Sequence, residues 1–362
     1  MEQRYRPRRK RLATLDRPAQ TGAATRSGAI DALRVVAVVG IVAGHVWSGP
    51  LVDAWLYTWH VPAFFLLSGY LWKTREPGAR GAVRAEAGKR LRTIMVPYAA
   101  WLAVTLLIHV VMLNVRDQFQ PEAVILPVVG GSLNAGPFGA YWFMPALFLS
   151  AVAFRALEVV PLALRITTII AITATLYPVG QDLALLPLSV GVSGGALIFM
   201  LAGQGLRHIR ARVRWPIRVG ALCLLTGLVP TLIGRPASLD IKYGEFGTPV
   251  LGIVAAVLIS SGLLLILEGV FTRLPAAVHA VSTSLAAGCL MVVLTHTYVL
   301  WLLEIPEEER PFWVLLLALA VPWGIALVLH RTPLSRVLLG TPRAGRIGAS
   351  RPSPSRAAGN PA

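Results

Sequence analysis

Three ionisable residues interrupt the first long apolar stretch of this 362-residue chain, IDALRVVAVVGIVAGHVW, residues 30–47. They are Asp31, Arg34 and His45. Eleven residues separate Arg34 from His45, and eleven helical steps return to nearly the same face about 16 Å further along the axis. Asp31 precedes Arg34 by three residues, a spacing at which helical side chains can pair. A helix here would carry a guanidinium and an imidazole on one face.

A charged side chain at the centre of a bilayer costs about 2.5–3.5 kcal/mol, so these residues require an explanation. Asp31 and Arg34 could simply anchor the helix end by extending to the membrane surface. That alternative does not account for His45, which lies deep in the stretch on the same face. The trio therefore favours a polar cleft. In such a cleft an imidazole, with an unperturbed pKa of about 6.5, suits general-base chemistry.

A second histidine lies in the next apolar stretch, WLYTWHVPAFFLLSGYLWKTR. His60 precedes Pro62, which lacks an N–H and is expected to bend the helix locally. A single intramembrane histidine is often a structural hydrogen-bonding residue. Two histidines on neighbouring helices with a short loop between them favour a shared site. Gly40 and Gly44 in the first stretch would allow the two helices to pack closely.

A basic cluster follows in KRLRTIMVPYAAW, which places Lys89, Arg90 and Arg92 at the membrane surface. Ordinary positive charge on the cytoplasmic side would explain any one of these residues. Together with Arg34, they could also bind an anionic ligand, and arginine suits phosphate in particular. Ser68, near the same end of the second stretch, adds a hydroxyl group.

Two further residues have both a structural and a functional explanation. Trp142, in GPFGAYWFMPALFLSAV, fits an interfacial aromatic belt as well as a binding site. His296, in LMVVLTHTYVL, is a third intramembrane histidine, and both explanations stay open for it. The sequence has no H-E-x-x-H motif, no histidine pair at i,i+4 and no paired carboxylates in its apolar stretches, so we predict no metal cofactor.

The elements that must position these residues are membrane helices. The chain is 55% hydrophobic and only 14% charged, whereas soluble proteins carry about 25% charged residues. A membrane helix needs about 20 apolar residues. We therefore predict an all-α polytopic membrane protein with about ten transmembrane helices, least certainly delimited over 159–190: 30–48, 54–72, 93–113, 138–158, 163–180, 183–206, 217–234, 248–268, 284–303 and 312–330.

The net charge of +17 lies mainly in the loops and termini, a pattern that argues against nucleic-acid binding. With both termini in the cytoplasm, 30 of the 34 lysines and arginines fall on the cytoplasmic side. The basic segments 1–29 and 331–362 are predicted to be disordered cytoplasmic arms flanking a membrane domain at 30–330. The exceptions on the outer side are Arg116, Arg235, Lys242 and Arg310.

Taken together, these stretches resemble a known family. DALRVVAVVGIVAGH resembles the Arg-x10-His first helix of bacterial acyltransferase-3 membrane proteins, and WHVPAFFLLSGYLW is similar to their second helix, His-x-Pro-x-Phe-Phe-x-x-Ser-Gly-Tyr. KRLRTIMVPY, YWFMPALFL and STSLAAGCLMVVLTHTYV are similar to three later helices of the family. The combination is most similar to the fucose 4-O-acetylase-like branch.

The resemblance implies a multi-pass enzyme of the bacterial inner membrane. Such enzymes transfer an acyl group, usually acetyl, from cytoplasmic acyl-CoA to a hydroxyl of a carbohydrate or glycoconjugate acceptor. It also implies that Arg34 and His45 are the essential pair. We therefore predict His45, Arg34 and His60 as catalytic residues, with Arg34, Ser68, Lys89, Arg90 and Arg92 binding the coenzyme A thioester and Asp31, Trp142 and His296 binding substrate.

Two other functional classes fit the same residues. Ten helices around a polar cleft would also suit a carrier or flippase for a glycan, a lipid or a small molecule. A structural partner of a biosynthetic complex is a third class, in which the histidines would tolerate substitution. The acceptor, the acyl chain length, the oligomeric state and the choice between direct transfer and an acyl-histidine intermediate stay open.

Overall fold

The computed structural model describes residues 28–75, 80–233 and 239–345. Within these ranges the chain is helical and has no β-strand, apart from one isolated bridge between Asp240 and Glu245. In chain order the helices are α1 (Gly28–Val46), α2 (Pro50–Val52), α3 (His60–Tyr70), α4 (Ala82–Arg90), α5 (Val96–Val115), α6 (Glu122–Val129), α7 (Phe143–Ala156), α8 (Leu162–Ala184), α9 (Leu197–Arg210), α10 (Pro216–Leu232), α11 (Leu251–Phe271), α12 (Ala276–Leu303), α13 (Phe312–Leu329) and α14 (Ser335–Leu338).

Eight helical stretches within the described ranges are long and apolar enough to cross a membrane. Many of their apolar side chains face outward, for example Leu107 at 67% exposure, and lipid would cover them. The prediction of an all-α polytopic membrane protein is therefore confirmed. The eight stretches are Gly28–Val46, Ala82–Val115, Gly136–Val159, Leu162–Ala184, Pro187–Arg210, Leu251–Phe271, Ala276–Leu303 and Phe312–Leu329.

The other two predicted spans have a different form. The span predicted at 217–234 is the 17-residue helix α10. The span predicted at 54–72 is interrupted, because a π-helical turn at Asp53–Tyr57 precedes α3. Pro62 lies in the first turn of α3, where backbone N–H groups have no helical acceptor. The proline is therefore accommodated in the first turn of α3, directly after the irregular segment that interrupts the predicted span.

Helix α1 lies at the centre of the bundle and packs against α3, α11, α12 and α13. Two of its glycines face the second predicted span. A Cβ on Gly40 would lie 3.2 Å from the Cβ of His60, and one on Gly44 would lie 3.1 Å from the Tyr57 ring. These close contacts, which the glycine spacing predicted, place His60 and Tyr57 directly against the helix that carries His45.

The described part of the predicted C-terminal tail packs against the helical bundle. Leu339 is 2% exposed, and the indole N–H of Trp101 donates a 2.8 Å hydrogen bond to the carbonyl of Leu338. Gly340 has φ +67°, and a Cβ there would lie 2.2 Å from the carbonyl oxygen of Thr93. Apolar burial and this close approach hold the segment against α5, so a disordered tail beginning at 331 does not describe residues 331–345. Residues 1–27 and 346–362 of the two predicted arms lie outside the described residues.

Candidate active site

The end of α1 that carries His45 is held by an arginine from the loop before α13. Arg310 Nη1 donates a 2.7 Å hydrogen bond to the carbonyl of His45 and a 3.4 Å bond to that of Val46. The indole N–H of Trp47 donates in return to the carbonyl of Arg310, at 3.0 Å. Carbonyls in the last turn of a helix have no helical N–H partner. Arg310 supplies donors for them and fixes the position of His45.

His60 is held by the π-helical turn Asp53–Tyr57, which interrupts the second predicted span. Its Nδ1 lies 2.6 Å from the carbonyl oxygen of Leu56, so in the neutral ring Nδ1 carries the proton. The ring of Tyr57 meets that of His60 edge-on, with centroids 5.0 Å apart, and the Tyr57 hydroxyl donates to the carbonyl of Gly44 at 3.1 Å. These contacts orient His60 and leave its Nε2 as the hydrogen-bond acceptor.

A cavity of about 310 Å³ lies beside His45 and His60, and we call it the histidine cavity. Helices α1, α3 and α12 contribute to its wall, together with the π-helical turn before α3, the start of α7 and three loops. Trp142, predicted to bind substrate, lines it. The other polar side chains on its wall are Tyr57, Asp240, Lys242, Tyr243 and Glu307.

The loop before α11 contributes five successive residues, 239–243, to the wall of the histidine cavity. Leu239 and Ile241 are each 2% exposed and also pack in the hydrophobic core, which anchors the loop beside Asp240 and Lys242. Lys242 Nζ donates a 2.7 Å hydrogen bond to the carbonyl of Asn134. The anchored loop therefore places a carboxyl group and an ammonium group on the cavity wall.

Asp240 is a carboxyl group with an unusual environment. It accepts a 3.1 Å hydrogen bond from the backbone N–H of Lys242. Burial raises the pKa of Asp240 to about 6, and the nearby carboxylate of Glu245 adds to the rise while the charge of Lys242 opposes it. Both forms of this carboxyl group are therefore populated close to neutral pH.

His296 lies behind His45 and is completely buried. The two imidazole centroids are 5.0 Å apart. His296 Nδ1 lies 2.9 Å from the carbonyl oxygen of Val292 in the same helix. The neighbouring Val293 lines the histidine cavity. The structure therefore places His296 against His45, outside the set of residues that line the histidine cavity.

At the other end of α1, Arg34 is paired with Asp31. Arg34 Nη1 lies 2.8 Å from Asp31 Oδ1, and the second carboxylate oxygen accepts a 3.0 Å hydrogen bond from the hydroxyl of Thr283. Asp31 is 0% exposed. We predicted that Asp31 binds substrate, but its contacts show it holding Arg34 in place.

Arg34 lines a second cavity, of about 260 Å³, together with three of the other predicted donor-binding residues. These are Ser68, Lys89 and Arg90, and we call this space the basic cavity. A hydrogen bond of 2.9 Å from Arg90 Nε to Glu86 orients the Arg90 guanidinium. The structure thus brings four of the five predicted donor-binding residues together.

Arg92 is the fifth predicted donor-binding residue and has a different location. Its side chain is exposed, and its Nε donates a 3.0 Å hydrogen bond to the carbonyl of Gly88, four residues earlier. It lies inside the π-helical turn Leu91–Met95, two residues after Arg90 and therefore on a different side of the helix. Arg92 therefore points away from the group around Arg34.

A third cavity, of about 250 Å³, lies between the other two, and we call it the middle cavity. It shares Phe143 and Val293 with the histidine cavity. It shares four lining residues with the basic cavity: Arg34, Phe64, Thr93 and Leu147. The three cavities therefore adjoin one another in a row alongside α1, from the basic residues to the histidines, and we call this row the track.

The sequence analysis did not identify Asp240, Lys242 or Arg310 as site residues. The sequence did contain a signal for the two basic residues, Lys242 and Arg310. Both are predicted on the outer side of the membrane, where few lysines and arginines lie. Another exception, Arg116, forms an ion pair with Glu304, and Arg235 lies outside the described residues. Each described lysine or arginine that is predicted on the outer side of the membrane therefore makes a specific contact in the structure.

The fold and the track of cavities define a polytopic membrane protein with an imidazole-based site in its helical bundle. A family model described as an acyltransferase domain, Acyl_transf_3, matches residues 27–330. The chain belongs to this acyltransferase-3 family and is a membrane acyltransferase. The resemblance is thus confirmed at the family level, while the fucose 4-O-acetylase-like branch stays a prediction. No curated protein and no solved structure matches the chain.

Proposed function

We propose that this membrane acyltransferase is an O-acyltransferase that uses acyl-CoA as donor and a carbohydrate or glycoconjugate hydroxyl as acceptor. Acetyl is the acyl group we expect. The observation that supports this most is the track of three cavities, because adjacent cavities share lining residues between Arg34 and His45. Two substrates entering from opposite ends of such a track would meet beside the histidines.

The donor would bind with its phosphates at the basic cavity. Arg34, Lys89 and Arg90 supply positive charge there, and an arginine can hold a phosphate through two parallel hydrogen bonds. Ser68 adds a hydroxyl donor. About 16 Å of α1 separates Arg34 from His45 at the usual helical rise. The middle cavity would hold the extended pantetheine arm across that length and deliver the thioester to His45.

The acceptor would enter the histidine cavity from the opposite end of the bundle. Its wall carries carboxylates at Asp240 and Glu307 and an indole at Trp142. Carboxylates accept hydrogen bonds from hydroxyl groups, and aromatic rings offer a flat apolar face. This combination suits a polyhydroxylated acceptor such as a sugar.

The proposed reaction uses His45 as the general base. His45 takes the proton from the acceptor hydroxyl while the hydroxyl oxygen attacks the thioester carbonyl carbon, so that a C–O bond forms. The C–S bond of the tetrahedral intermediate then breaks, and the leaving thiolate receives the proton from His45. His60, oriented by the carbonyl of Leu56, would hold the acceptor hydroxyl close to His45.

Replacement of His45 by alanine tests this proposal. Purified protein in lipid vesicles is supplied with acetyl-CoA and a panel of methyl glycosides, and the released coenzyme A thiol is titrated. Loss of a general base lowers a rate by about 10²–10⁴-fold, so we expect acceptor-dependent thiol release to fall by that factor in the His45→Ala protein. Thiol release at the wild-type rate would refute the role of His45.

The control removes a buried histidine outside the track. His109 is 7% exposed and packs edge-on against Trp301 and Phe138. We expect His109→Ala to keep acceptor-dependent thiol release. The same assay addresses the carrier alternative, because a carrier would move substrate without consuming a thioester. Membership of an acyltransferase family favours thioester consumption.

A further inference from the structure

His296 has one ring nitrogen whose hydrogen-bonding capacity is unused. The residue is 0% exposed, and its Nδ1 lies 2.9 Å from the carbonyl oxygen of Val292. A carbonyl oxygen can only accept, so in the neutral ring Nδ1 carries the proton and Nε2 has a lone pair. Nε2 is buried without a hydrogen-bond partner among the described residues. A buried polar atom left in this state costs about 1–3 kcal/mol, so a donor is expected.

The hydroxyls beside His296 on α12 are engaged elsewhere. Thr295 Oγ1 donates to the carbonyl of Met291 at 2.8 Å, and Thr297 Oγ1 donates to the carbonyl of Pro137 at 2.8 Å. Neither is therefore available to Nε2 of His296. The imidazole of His45, on the facing helix α1, is in ring contact with His296 and can carry an N–H.

The spacing of the two rings suits one hydrogen bond between them. The centroids of His45 and His296 are 5.0 Å apart, and the ring planes are inclined at 53°. Two imidazoles joined by an N–H···N bond have centroids roughly 5 Å apart, since each nitrogen lies about 1 Å from its centroid and the nitrogens about 3 Å from each other. The centroid spacing therefore accommodates this bond once an N–H of His45 is turned toward Nε2 of His296.

We propose that His296 is a positioning residue for His45, an inference that rests on the proposed function. Nε2 of His296 accepts the N–H of one ring nitrogen of His45 and thereby leaves the other nitrogen unprotonated beside the histidine cavity. When His45 takes the acceptor proton, the same hydrogen bond stabilises the imidazolium. The proton then passes to the coenzyme A thiolate, and His296 itself neither gains nor loses a proton. A base oriented by a third group in this way recurs in nucleophilic enzymes.

The test compares two replacements of His296. A glutamine side chain has a similar reach to histidine, so His296→Gln keeps an acceptor close to the position of Nε2, whereas His296→Leu removes it. We expect His296→Leu to lower kcat by about 10–100-fold, the range for removing a partner that orients a functional histidine. The KM for acetyl-CoA should not change, because the basic cavity is untouched. We expect His296→Gln to recover most of kcat.

A matched control and a spectroscopic measurement separate positioning from general stability. His109→Leu also removes a buried imidazole, and its kcat should match that of the wild type. In protein labelled with ¹⁵N-histidine, Nε2 of His296 should show the shift of an unprotonated, hydrogen-bonded nitrogen. That shift should change in the His45→Ala protein.

The outcomes are distinguishable. Wild-type kcat in His296→Leu, or an equal loss of kcat in His296→Leu and His296→Gln, would overturn the inference while leaving the proposed function intact. If the leucine variant does not fold, a His296→Gln protein with kcat reduced more than a hundredfold would likewise overturn it. If the wild type itself releases no thiol, the proposed function fails. The ¹⁵N shift of Nε2 then still decides whether the histidines are bonded.

Discussion

The three histidines of the site differ in what surrounds them, and the differences assign different roles. His45 is half-buried and lines the cavity at the end of α1. His60 also lines the cavity, but its Nδ1 is committed to a backbone carbonyl. His296 is completely buried behind His45. His45 and His60 are therefore the histidines that can meet a substrate, and the His45 ring forms no hydrogen bond to the described residues other than the one proposed to His296.

For a second single residue, the raised pKa of Asp240 leads us to expect that binding of the acceptor depends on pH. Burial raises its pKa to about 6, so the carboxylate form grows as pH rises through that value. The carboxylate accepts hydrogen bonds from acceptor hydroxyls better than the protonated acid does. We expect KM for an active glycoside acceptor to fall about tenfold between pH 5 and pH 7, as the ionised fraction rises about tenfold.

The Asp240→Asn protein provides the comparison for this pH dependence. Asparagine does not titrate, so its KM for the same acceptor should stay high and nearly constant over the same range. The comparison removes the contribution of any other group that titrates in both proteins. An acceptor KM that falls equally in both proteins would show that another group is responsible.

At the scale of elements, irregular segments position the site as much as long helices do. The π-helical turn Asp53–Tyr57 supplies the Leu56 carbonyl that holds His60, and the loop with Arg310 caps the end of α1. Leu339 and Gly340, beyond the last long helix, line the middle cavity. Each segment places a backbone group or a small residue where a continuous helix could not.

The contacts of residues 334–341 allow us to predict the effects of two C-terminal truncations. A chain ending at Pro333 lacks Leu339, Gly340 and Thr341, which line the middle cavity with Arg34. Burying a leucine contributes about 1.5–3 kcal/mol, so this protein should unfold at a lower temperature. The opened cavity should also raise KM for acetyl-CoA severalfold. Thermal unfolding in detergent and initial rates of thiol release measure both effects.

A chain ending at Gly345 serves as the matched control for this truncation. It keeps α14 and the residues that line the middle cavity. We expect its unfolding temperature and its KM for acetyl-CoA to match those of the wild type. Equal losses in both truncated proteins would contradict the role assigned to residues 334–341.

At the scale of the whole molecule, the bundle keeps the two ends of the site apart and connects them by one track. Arg34 and His45 lie on the same helix, so α1 fixes the distance between the basic end and the histidines. Phe143 and Val293 line both the middle cavity and the histidine cavity. Their side chains therefore lie at the boundary between the two cavities, which a thioester would have to cross to reach His45.

Adding bulk where the middle cavity meets the histidine cavity should reduce acyl transfer without reducing binding of the donor. Val293→Phe adds bulk where the two cavities meet, so we expect retained binding of radiolabelled acetyl-CoA and at least a tenfold loss of acceptor-dependent thiol release. Overpacking a core position costs about 1–3 kcal/mol by itself. Val292→Phe controls for that cost, since Val292 is buried one residue away on a different face of α12. Loss of binding and transfer to the same extent in both proteins would argue against a passage at Val293.

Much of the site could be predicted because helical spacing is regular. The eleven-residue interval between Arg34 and His45 put both on one face, and both line the track. Arg92 does not line the basic cavity because it lies two residues after Arg90, and residues two apart on a helix do not share a face. Asp240 was not predicted because a loop has no periodicity that reveals which residues face a cavity.

The sequence by itself determined the membrane class, the helical architecture and the family, because apolar length, charge asymmetry and local motifs are properties of neighbouring residues. It also determined that a guanidinium and an imidazole share a face of α1. Only the tertiary structure decided that Arg310 caps that helix, that Asp240 and Lys242 line the cavity and that His296 lies behind His45. The hydrogen bond from Arg310 to His45, for example, joins residues 265 positions apart in the chain. Such pairings are set by the packing of whole helices, which no local pattern contains.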